Sequence, residues 1–375
     1  MFGKVVEYWQ SAVSVAEGSR VRAVWVLVRM VLCRLINGFG PKDYLLFSFH
    51  RKPFSHHVGY LKKDPLEALQ NQLNPVEARQ LALNKFRFYQ RCKDKMLSTP
   101  EIYGVVGELP DETLAEQVAR IRNESDLLDV VRQQGSGAYL LKPVDGSHGF
   151  GIIRFKLEAG LLLADNGELL SGQSGFVEIF DSGEVFLLQR ALRPHAELQG
   201  IMPGACLGTV RLVTIQVRGQ IDIVFGCLKI PVGNNIADNF LAGKSGNLLA
   251  EIDLETGRVS RAFGPDMQYP GVICERFQHP DSGIELPGYQ FPHWGELVAA
   301  VKAGSSAFHE LKTIGWDAAL TEQGACLIEA NSRYDCDLLQ VAMDRGLKGD
   351  LTCLLGDMVS RRSAESALTA EKSAT

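Results

Sequence analysis

Apolar residues recur at helical spacing along the first third of the chain. The clearest stretches are residues 68–83 and residues 113–134, the second of which ends at Gly135. Apolar positions three and four residues apart favour helices that bury one face, and glycine commonly follows the last helical turn. The pattern predicts that residues 1–83 form a helical region and that helices continue to about residue 135.

From residue 137 onward the pattern changes to short apolar runs separated by turn residues. Such pairs favour antiparallel hairpins, and they cover residues 137–156, 211–228, 248–263 and 315–331. Helical spacing returns over 294–312 and 335–360, and the tail from Arg362 lacks core-forming residues, which predicts disorder. Hairpins mixed with helices predict an α+β fold rather than a regular βαβ series.

Composition limits the function classes. The 375 residues are 46% hydrophobic and 22% charged, with a net charge of −5 and a pI of about 6.0. This balance is typical of a globular protein, and no basic excess indicates a nucleic-acid partner. The eight cysteines are scattered without metal-ligand or redox spacing. Buried, reduced thiols in a cytoplasmic protein are the interpretation that we favour.

The N-terminal region has no signal-peptide layout, but residues 21–36 are strongly apolar and interrupted by Arg22, Arg29 and Arg34. The run is too short and too charged to span a bilayer. Its arginines could line a helix that lies on a membrane surface. The alternative, which we favour, is an amphipathic helix packed on the protein's own core. We therefore expect a cytoplasmic protein, with peripheral association at the inner face of the membrane as the alternative.

The last predicted hairpin, residues 315–331, can bring two acidic side chains together on one face. If the loop is residues 322–324, Asp317 lies directly opposite Glu329, and Asn331 points to the same face. Two facing carboxylates repel each other, and a divalent cation would relieve that repulsion. The hairpin thus predicts a magnesium site, whereas the alternative is an exposed polar face with acids placed by chance.

A glycine-rich turn, residues 142–152, follows an apolar strand that ends in Lys142. Backbone amides in such a loop can cradle phosphate, and the lysine adds a positive charge. The turn lacks the Gly-Lys-Ser/Thr of a Walker loop, and its strand–strand flanks do not suit the dinucleotide fingerprint. An ordinary tight turn is the alternative.

Two further features suggest ligand contacts. Arg211 stands in a β-branched run, where a buried arginine needs an anionic partner: a phosphoryl group, a substrate carboxylate or an acid of the protein itself. The polar stretch 234–239 is either a substrate loop or a plain surface loop. His50, His56 and His57 are interpreted as surface or loop histidines, because no acid spacing accompanies them. Motifs of hydrolases, zincins and protein kinases are missing from the sequence.

Taken in order, these stretches resemble the ATP-grasp superfamily, and most closely its sugar-transfer associated group, which is related to α-L-glutamate ligases. The similarity runs from about Asn84 to Tyr334. The stretches that carry it are 84–85 with 97–103, 142–152, 189–195, 209–214, 237–240, 279–283 with 288–294, and 315–317 with 329–331.

The resemblance implies a fold of two α+β lobes that sandwich ATP, after a mostly helical N-terminal region. It implies domains at 1–83 (helical), 84–345 (catalytic) and 346–375 (C-terminal helix and disordered tail). The catalytic domain would divide into a nucleotide-flap lobe, 84–190, and a metal and substrate lobe, 191–345.

The resemblance also implies site residues, which share contact with ATP, metal or substrate. Catalytic roles fall to Arg211 and Lys142. ATP would be bound by Lys85, Lys142, the flap residues Gly146, Ser147, His148 and Gly149, the hinge residues Gln189, Arg190, Ala191 and Leu192, and His195. Substrate contacts would come from Lys229, Asn235, Asp238, Asn239 and His279. Mg²⁺ or Mn²⁺ would be held by Asp317, Glu329 and Asn331.

The function that the resemblance implies is an ATP- and magnesium-dependent ligase that joins a carboxylate to an amine through an acyl phosphate, in polysaccharide or peptide-like metabolite synthesis. Its partners would be small-molecule carboxylate and amine substrates. A kinase acting on a small-molecule hydroxyl and a nucleotide-binding regulatory protein are alternatives. Arg190, where the family has an acid, and Gly243-Lys244, where it has paired glycines, leave the regulatory alternative open. A membrane-associated assembly partner in surface-polysaccharide synthesis is a further alternative, compatible with the enzyme.

Overall fold

Helices make up the N-terminal part of the chain. The structure, a computed structural model, describes residues 2–108, 118–144 and 151–373. Helices α1 to α7 are Phe2–Ser14, Arg20–Asn37, Pro41–Leu46, Phe54–His57, Lys63–Leu73, Val76–Leu83 and Lys85–Asp94. Local chemistry sets their ends: the Ser19 hydroxyl caps α2, Gly38 ends it with a left-handed φ of 75°, and the Asn84 side chain accepts from two amides at the start of α7.

The first sheet has six strands in the order β2-β1-β6-β3-β4-β5. The strands β1 to β6 are Ile102–Val106, Ala119–Ile121, Ala138–Pro143, Ile153–Glu158, Leu161–Ala164 and Phe186–Arg190, and the helices α8 and α9 are Glu124–Gln134 and Ser174–Asp181. The hairpin predicted over 137–156 is confirmed as β3–β4. The prediction that helices continue through residue 135 is wrong for β1 and β2, because short apolar runs fit a buried strand as well as a helix segment.

The second sheet has seven strands in the order β11-β10-β9-β8-β7-β12-β13. Strands β7 to β13 are Val210–Val217, Gln220–Ile230, Leu248–Ile252, Val259–Pro265, Ile273–Glu275, Thr313–Thr321 and Gly324–Asn331; helix α10 is Trp294–Ala307. The three predicted hairpins in this half are confirmed. One face packs on α10, and the other packs on the N-terminal helices, so this sheet is buried on both sides.

The chain ends with helices α11, Asp337–Ala342, and α12, Lys348–Ser373. The predicted disordered tail from Arg362 is wrong here, since the helix continues through it. Alanine, glutamate and lysine in this stretch are strong helix formers, even without a core to bury.

The N-terminal helices contribute to the core beneath the second sheet. Helix α2 buries Ala23, Val26, Met30 and Cys33, as the core interpretation of residues 21–36 predicts. Among the described residues, no helix is both long enough and apolar enough to cross a membrane. His57 is buried against the Phe49 ring rather than on the surface, and burial lowers its pKa to about 4.

The cysteines follow the expectation of reduced, mostly buried thiols. All eight are free, six of them are buried, Cys274 is partly buried and Cys353 is exposed.

Candidate functional site

The β12–β13 hairpin places Asp317 opposite Glu329, but by a different route from the one predicted. The turn has two residues, because Thr321 pairs with Gly324 rather than with Ala325. A β-bulge at Ile328 then shifts the register by one residue, so that Asp317 faces Glu329 after all. The predicted loop is therefore wrong, whereas the predicted opposition of the two carboxylates is confirmed.

Asp317 is buried in an ion pair with Arg211. Arg211 donates from Nε and Nη2 to the two carboxylate oxygens at 2.7 and 2.9 Å, and only 5% of Asp317 and 8% of Arg211 are exposed. Burial disfavours the charged carboxylate, but the charges of Arg211 and Lys229 outweigh it and lower the pKa of Asp317 to about 2. Of the anionic partners considered for Arg211, the structure supplies an acid of the protein itself.

Lys229 connects Asp317 to a second acid. Its Nζ lies 3.2 Å from Oδ1 of Asp317 and 3.4 Å from Oδ2 of Asp238. Asp238 also accepts from the backbone amide and hydroxyl of Thr209, at 2.9 and 2.5 Å. Burial works against the charge on Lys229, but Asp238 and Asp317 raise its pKa above the ordinary value. The acid from the loop and the acid from β12 are thus held together by one buried ammonium.

Glu329 lines the same cleft as Lys85 and Lys142. Its carboxylate lines the cleft and makes no hydrogen bond or ion pair to another part of the described chain. Lys142, at the end of β3, has its pKa lowered by burial, while the negative charge of Glu329 acts in the opposite direction. Lys85 donates from Nζ to the carbonyls of Pro143 and Val144 at 3.0 and 3.2 Å, which fixes it beside the same strand end.

The segment between the two sheets forms the back of the cleft. Gln189, Arg190, Ala191 and Leu192 follow one another out of β6 and all line it. The Gln189 amide donates to the carbonyl of Pro100 at 3.4 Å. Arg190 donates to the carbonyl of Ser136, and its guanidinium lies 5.8 Å from the centre of the Tyr139 ring. Its charge is therefore turned toward the first sheet.

Most predicted residues come together around this cleft. Those that line it are Lys85, Lys142, Gln189, Arg190, Ala191, Leu192, Lys229, Asp238, Asn239, Asp317 and Glu329. Arg211 and Asn331 lie behind Asp317 and bond to it. Gly146, Ser147, His148 and Gly149 lie outside the described residues. The ligand roles of all these residues stay predictions.

Three predicted ligand residues lie elsewhere. The amide of Asn235 donates to the carbonyls of Val232 and Ser245, both at 2.9 Å, so it closes its own loop. His279 is buried, with Nε2 3.0 Å from the carbonyl of Pro231. Both side chains thus supply partners that loop backbone groups need, and their predicted substrate contacts stay predictions.

His195 is the third. Its ring lies 4.9 Å from that of His293 and beside Glu197, away from the residues that line the cleft. His195 is not among the described residues that line the cleft, and its predicted place near the ribose or hinge stays a prediction.

Sequence reasoning missed several cleft residues. They are mostly apolar or uncharged side chains that give no local chemical signal, and they include Phe88, Tyr89, Thr99, Cys206, Ile236 and Ile328. Arg154 is the charged exception, and it pairs with Asp165 at 3.2 Å. Thr209 could have been found, because it stands two residues before Arg211 on the chain. Its hydroxyl donates to Asp238 of the polar stretch 234–239.

The side-chain oxygens of Asp317, Glu329 and Asn331 suit a hard divalent cation, but they are not equally free to bind one. A carboxylate has about four acceptor positions, and Asp317 uses them for Arg211 twice, Lys229 and the Asn331 amide. In the described chain, Glu329 and the amide oxygen of Asn331 stay without such partners. Magnesium prefers few carboxylates together with water and phosphate oxygens. Glu329 and Asn331 would therefore hold it first, with Asp317 joining only by releasing a hydrogen bond.

These lobes and this cleft define a nucleotide-binding fold of the ATP-grasp class. The family described as sugar-transfer associated ATP-grasp matches residues 66–354, more than half of the chain. The chain belongs to that family, and its fold is the ATP-grasp fold. The match begins before the predicted domain start at 84, and the predicted domain boundaries stay predictions.

Solved structures of ligases are similar at low identity. D-alanyl-alanine synthetase A from Vibrio cholerae O1 biovar eltor aligns over 76% of this chain and 68% of its own, with 10% identity and a TM-score of 0.44. D-alanine-D-alanine ligase from Coxiella burnetii aligns over 82% and 69%, with 8% identity and a TM-score of 0.44.

An L-amino acid ligase from Bacillus licheniformis aligns over 72% of this chain, with 11% identity and a TM-score of 0.37, and the chain spans only 44% of that ligase's length. A search of curated proteins found no significant match.

Proposed function

We propose that this protein is an ATP- and magnesium-dependent ligase that activates a carboxylate as an acyl phosphate. The observation that carries the proposal is the charge of the cleft. Its described lining has five basic side chains, Lys85, Lys142, Arg154, Arg190 and Lys229, against three acids, Asp238, Asp317 and Glu329. An excess of positive charge in a walled cleft favours a polyanion such as a nucleoside triphosphate.

The basic side chains approach the cleft from two sides, which would fix the orientation of a bound polyanion. Lys85 and Lys142 meet at the end of β3 in the first lobe, where they suit the phosphates of ATP. Lys229 reaches in from the second lobe beside Asp238. A phosphoryl group between the lobes would then be balanced from both sides, which is the kind of electrostatic positioning that phosphoryl transfer needs.

Magnesium would be held by Glu329 and Asn331, beside Asp317. When bound, the cation would offset charge on the β- and γ-phosphates. Arg211 does not line the cleft and is committed to Asp317 through two hydrogen bonds, so it fixes the orientation of that carboxylate. Its predicted contact with the transferred phosphate would depend on the remaining Nη1 group.

The proposed reaction has two steps. A substrate carboxylate oxygen attacks the γ-phosphorus, the bond from that phosphorus to the β-bridging oxygen breaks, and ADP leaves. An amine or another nucleophile then attacks the acyl carbon of the mixed anhydride, and inorganic phosphate leaves. Exclusion of water from the cleft protects the anhydride between the steps. Sugar acids and amino acids are the first substrates to test, given the sugar-transfer association of the family.

Trapping the anhydride tests the proposal. The purified protein is incubated with Mg-ATP, hydroxylamine and a panel of carboxylates, and both free phosphate and the iron(III) complex of the hydroxamate are measured. A ligase gives equal amounts of phosphate and hydroxamate with some member of the panel. The Glu329→Gln variant is the matched control and is expected to give neither, because it loses a carboxylate of the cleft that has no ion-pair partner among the residues that the structure describes.

The alternative kinase gives a different product pattern with the same site. It transfers the γ-phosphate to a hydroxyl, so ADP forms without free phosphate and without hydroxamate. ADP formation of that kind with a hydroxyl-bearing substrate would replace the ligase proposal. Absence of ADP formation with every substrate, although ATP binds, would favour a regulatory role.

A further inference from the structure

Helix α2 has one buried face and one exposed apolar face. Ala23, Val26, Met30 and Cys33 face the core. A second face carries eight apolar side chains that are 41–82% exposed: Val21, Val24, Trp25, Val28, Val31, Leu32, Leu35 and Ile36. At about 100° per residue this exposed apolar face spans an arc of about 140° on the side opposite the core. The protein's own core therefore explains only one side of this apolar helix.

Four arginines mark the borders of the apolar face. On the same helical wheel, Arg22 and Arg29 stand along one edge, and Arg20 and Arg34 stand along the other. The guanidinium of Arg29 lies 4.6 Å from the centre of the Trp25 ring at that edge. Arginines that flank an apolar face can extend to lipid headgroups while the apolar residues lie deeper, and tryptophan prefers that same interface.

Helix α1 extends the apolar surface. Val5, Val6, Trp9 and Val13 are 40–65% exposed, and Ala12 is buried in the same core cluster as Val26 of α2. The two helices thus form a hairpin that is anchored to the second lobe by its inner side and carries exposed apolar residues on both arms. Exposed apolar patches of this extent mark interaction surfaces rather than ordinary surface variation.

The charge of the chain is divided unevenly. The α1–α2 hairpin, residues 1–37, contains five Lys and Arg and two Asp and Glu, a net charge of +3, so the rest of the chain carries −8 to reach the total of −5. A basic segment on an otherwise acidic protein favours an anionic surface over a second acidic copy of the same chain.

We propose that the exposed face of the α1–α2 hairpin docks on the surface of an anionic lipid bilayer. The apolar side chains of α2 insert at the boundary between headgroups and acyl chains, and the exposed Arg20, Arg22 and Arg34 contact the phosphates around them. Arg29 instead stays bonded to the carbonyls of Phe49 and Lys52 and holds the helix on the protein. Docking would hold the cleft at the membrane surface without a spanning helix. The proposal does not depend on the ligase reaction.

Co-sedimentation of the full-length protein with vesicles tests the proposal. One vesicle preparation is phosphatidylcholine alone, and the other contains three parts in ten of phosphatidylglycerol. The protein is expected to partition to the anionic vesicles at least about tenfold more strongly, and to lose much of that preference at 0.5 M NaCl.

A pair of charge-matched double variants identifies the surface. Val21→Glu/Leu35→Glu changes two side chains of the apolar face that are 82% and 75% exposed, and it should lower vesicle partitioning about tenfold or more. Met267→Glu/Phe277→Glu changes two side chains elsewhere that are 86% and 65% exposed, and it adds the same charge. That control should stay within about twofold of the unmodified protein.

Melting temperatures of both double variants confirm that they are folded. The proposal is overturned if the unmodified protein stays in the supernatant with both vesicle types, or if the two double variants lose binding equally. It is also overturned if analytical ultracentrifugation shows a dimer that only Val21→Glu/Leu35→Glu dissociates, while vesicles capture none of the proteins. That last result would assign the face to a second copy of the chain.

Discussion

Replacing Asp317 by asparagine removes the negative charge on which two buried cations depend. Arg211 loses both of its charge-assisted hydrogen bonds, while Lys229 keeps Asp238 at 3.4 Å. Removal of one partner from a buried ion pair costs about 3–5 kcal/mol of unfolding free energy, because the other charge stays buried and unpaired. An unfolding entropy of about 2.1 cal/mol/K per residue gives about 1.3 °C per kcal/mol for a chain of this length, so the melting temperature should fall by roughly 4–7 °C.

Differential scanning fluorimetry without ligands measures this fall, and Glu275→Gln is its matched control. Arg261 donates to Glu275 in the same two-pronged way, at 2.8 and 3.2 Å, but about a third of each side chain is exposed. Water screens such a pair, so the control should lose less than about 1 kcal/mol. An Asp317→Asn variant that melts within about 2 °C of the unmodified protein would refute the argument from the buried pair.

Three further predictions concern single positions. Lys142→Met should leave the melting temperature nearly unchanged, since burial already lowers the pKa of Lys142, but should weaken Mg-ATP binding about tenfold in calorimetry; unchanged affinity contradicts its role. Gly315→Ala places a Cβ 2.5 Å from Cβ of Tyr334, so it should lower the free energy of unfolding in urea by about 1–3 kcal/mol. Its control is Gly356→Ala, which adds a Cβ in open space on helix α12 and should not lower that free energy. The pKa of Asp317 is lowered from 3.8 to about 2, so its stabilising contribution is complete above pH 3.8 and is lost as the pH falls through about 2. The difference in unfolding free energy between the unmodified protein and Asp317→Asn should therefore become smaller between these two pH values. A difference that stays constant in acid titrations would contradict this prediction.

The hairpins could be predicted because their information is local. Alternation and turn residues defined β3–β4, β7–β8 and β12–β13, and the facing acids Asp317 and Glu329 were found in the same way. The bulge at Ile328 could not be predicted, because it depends on how β12 and β13 fit the rest of the sheet. The predicted loop was wrong by one residue, and the bulge shifts the pairing back by one residue. The predicted pairing of Asp317 with Glu329 was therefore right, although the predicted turn was not.

Residues whose partners are distant in sequence were harder to interpret. Arg211 was recognised as needing an anion, but the choice of Asp317 depends on the pairing of β7 with β12, 106 positions apart. Asn235 stands in a polar, turn-rich stretch, and both Asn235 and His279 were substrate contacts that the family resemblance implies. In the folded protein their side chains bond to backbone carbonyls of Val232, Ser245 and Pro231, a demand that appears only when the loops are folded.

Titration calorimetry of ATP, with and without Mg²⁺, tests the central claim most directly when the unmodified protein is compared with Glu329→Gln. The Glu329 carboxylate makes no ion pair within the described chain, so the variant should melt like the unmodified protein. The account predicts that Mg²⁺ strengthens ATP binding to the unmodified protein and that Glu329→Gln loses this strengthening. Equal Mg-dependence in the two proteins, or no binding of ATP to either, would contradict the assignment of the cleft as a magnesium–ATP site.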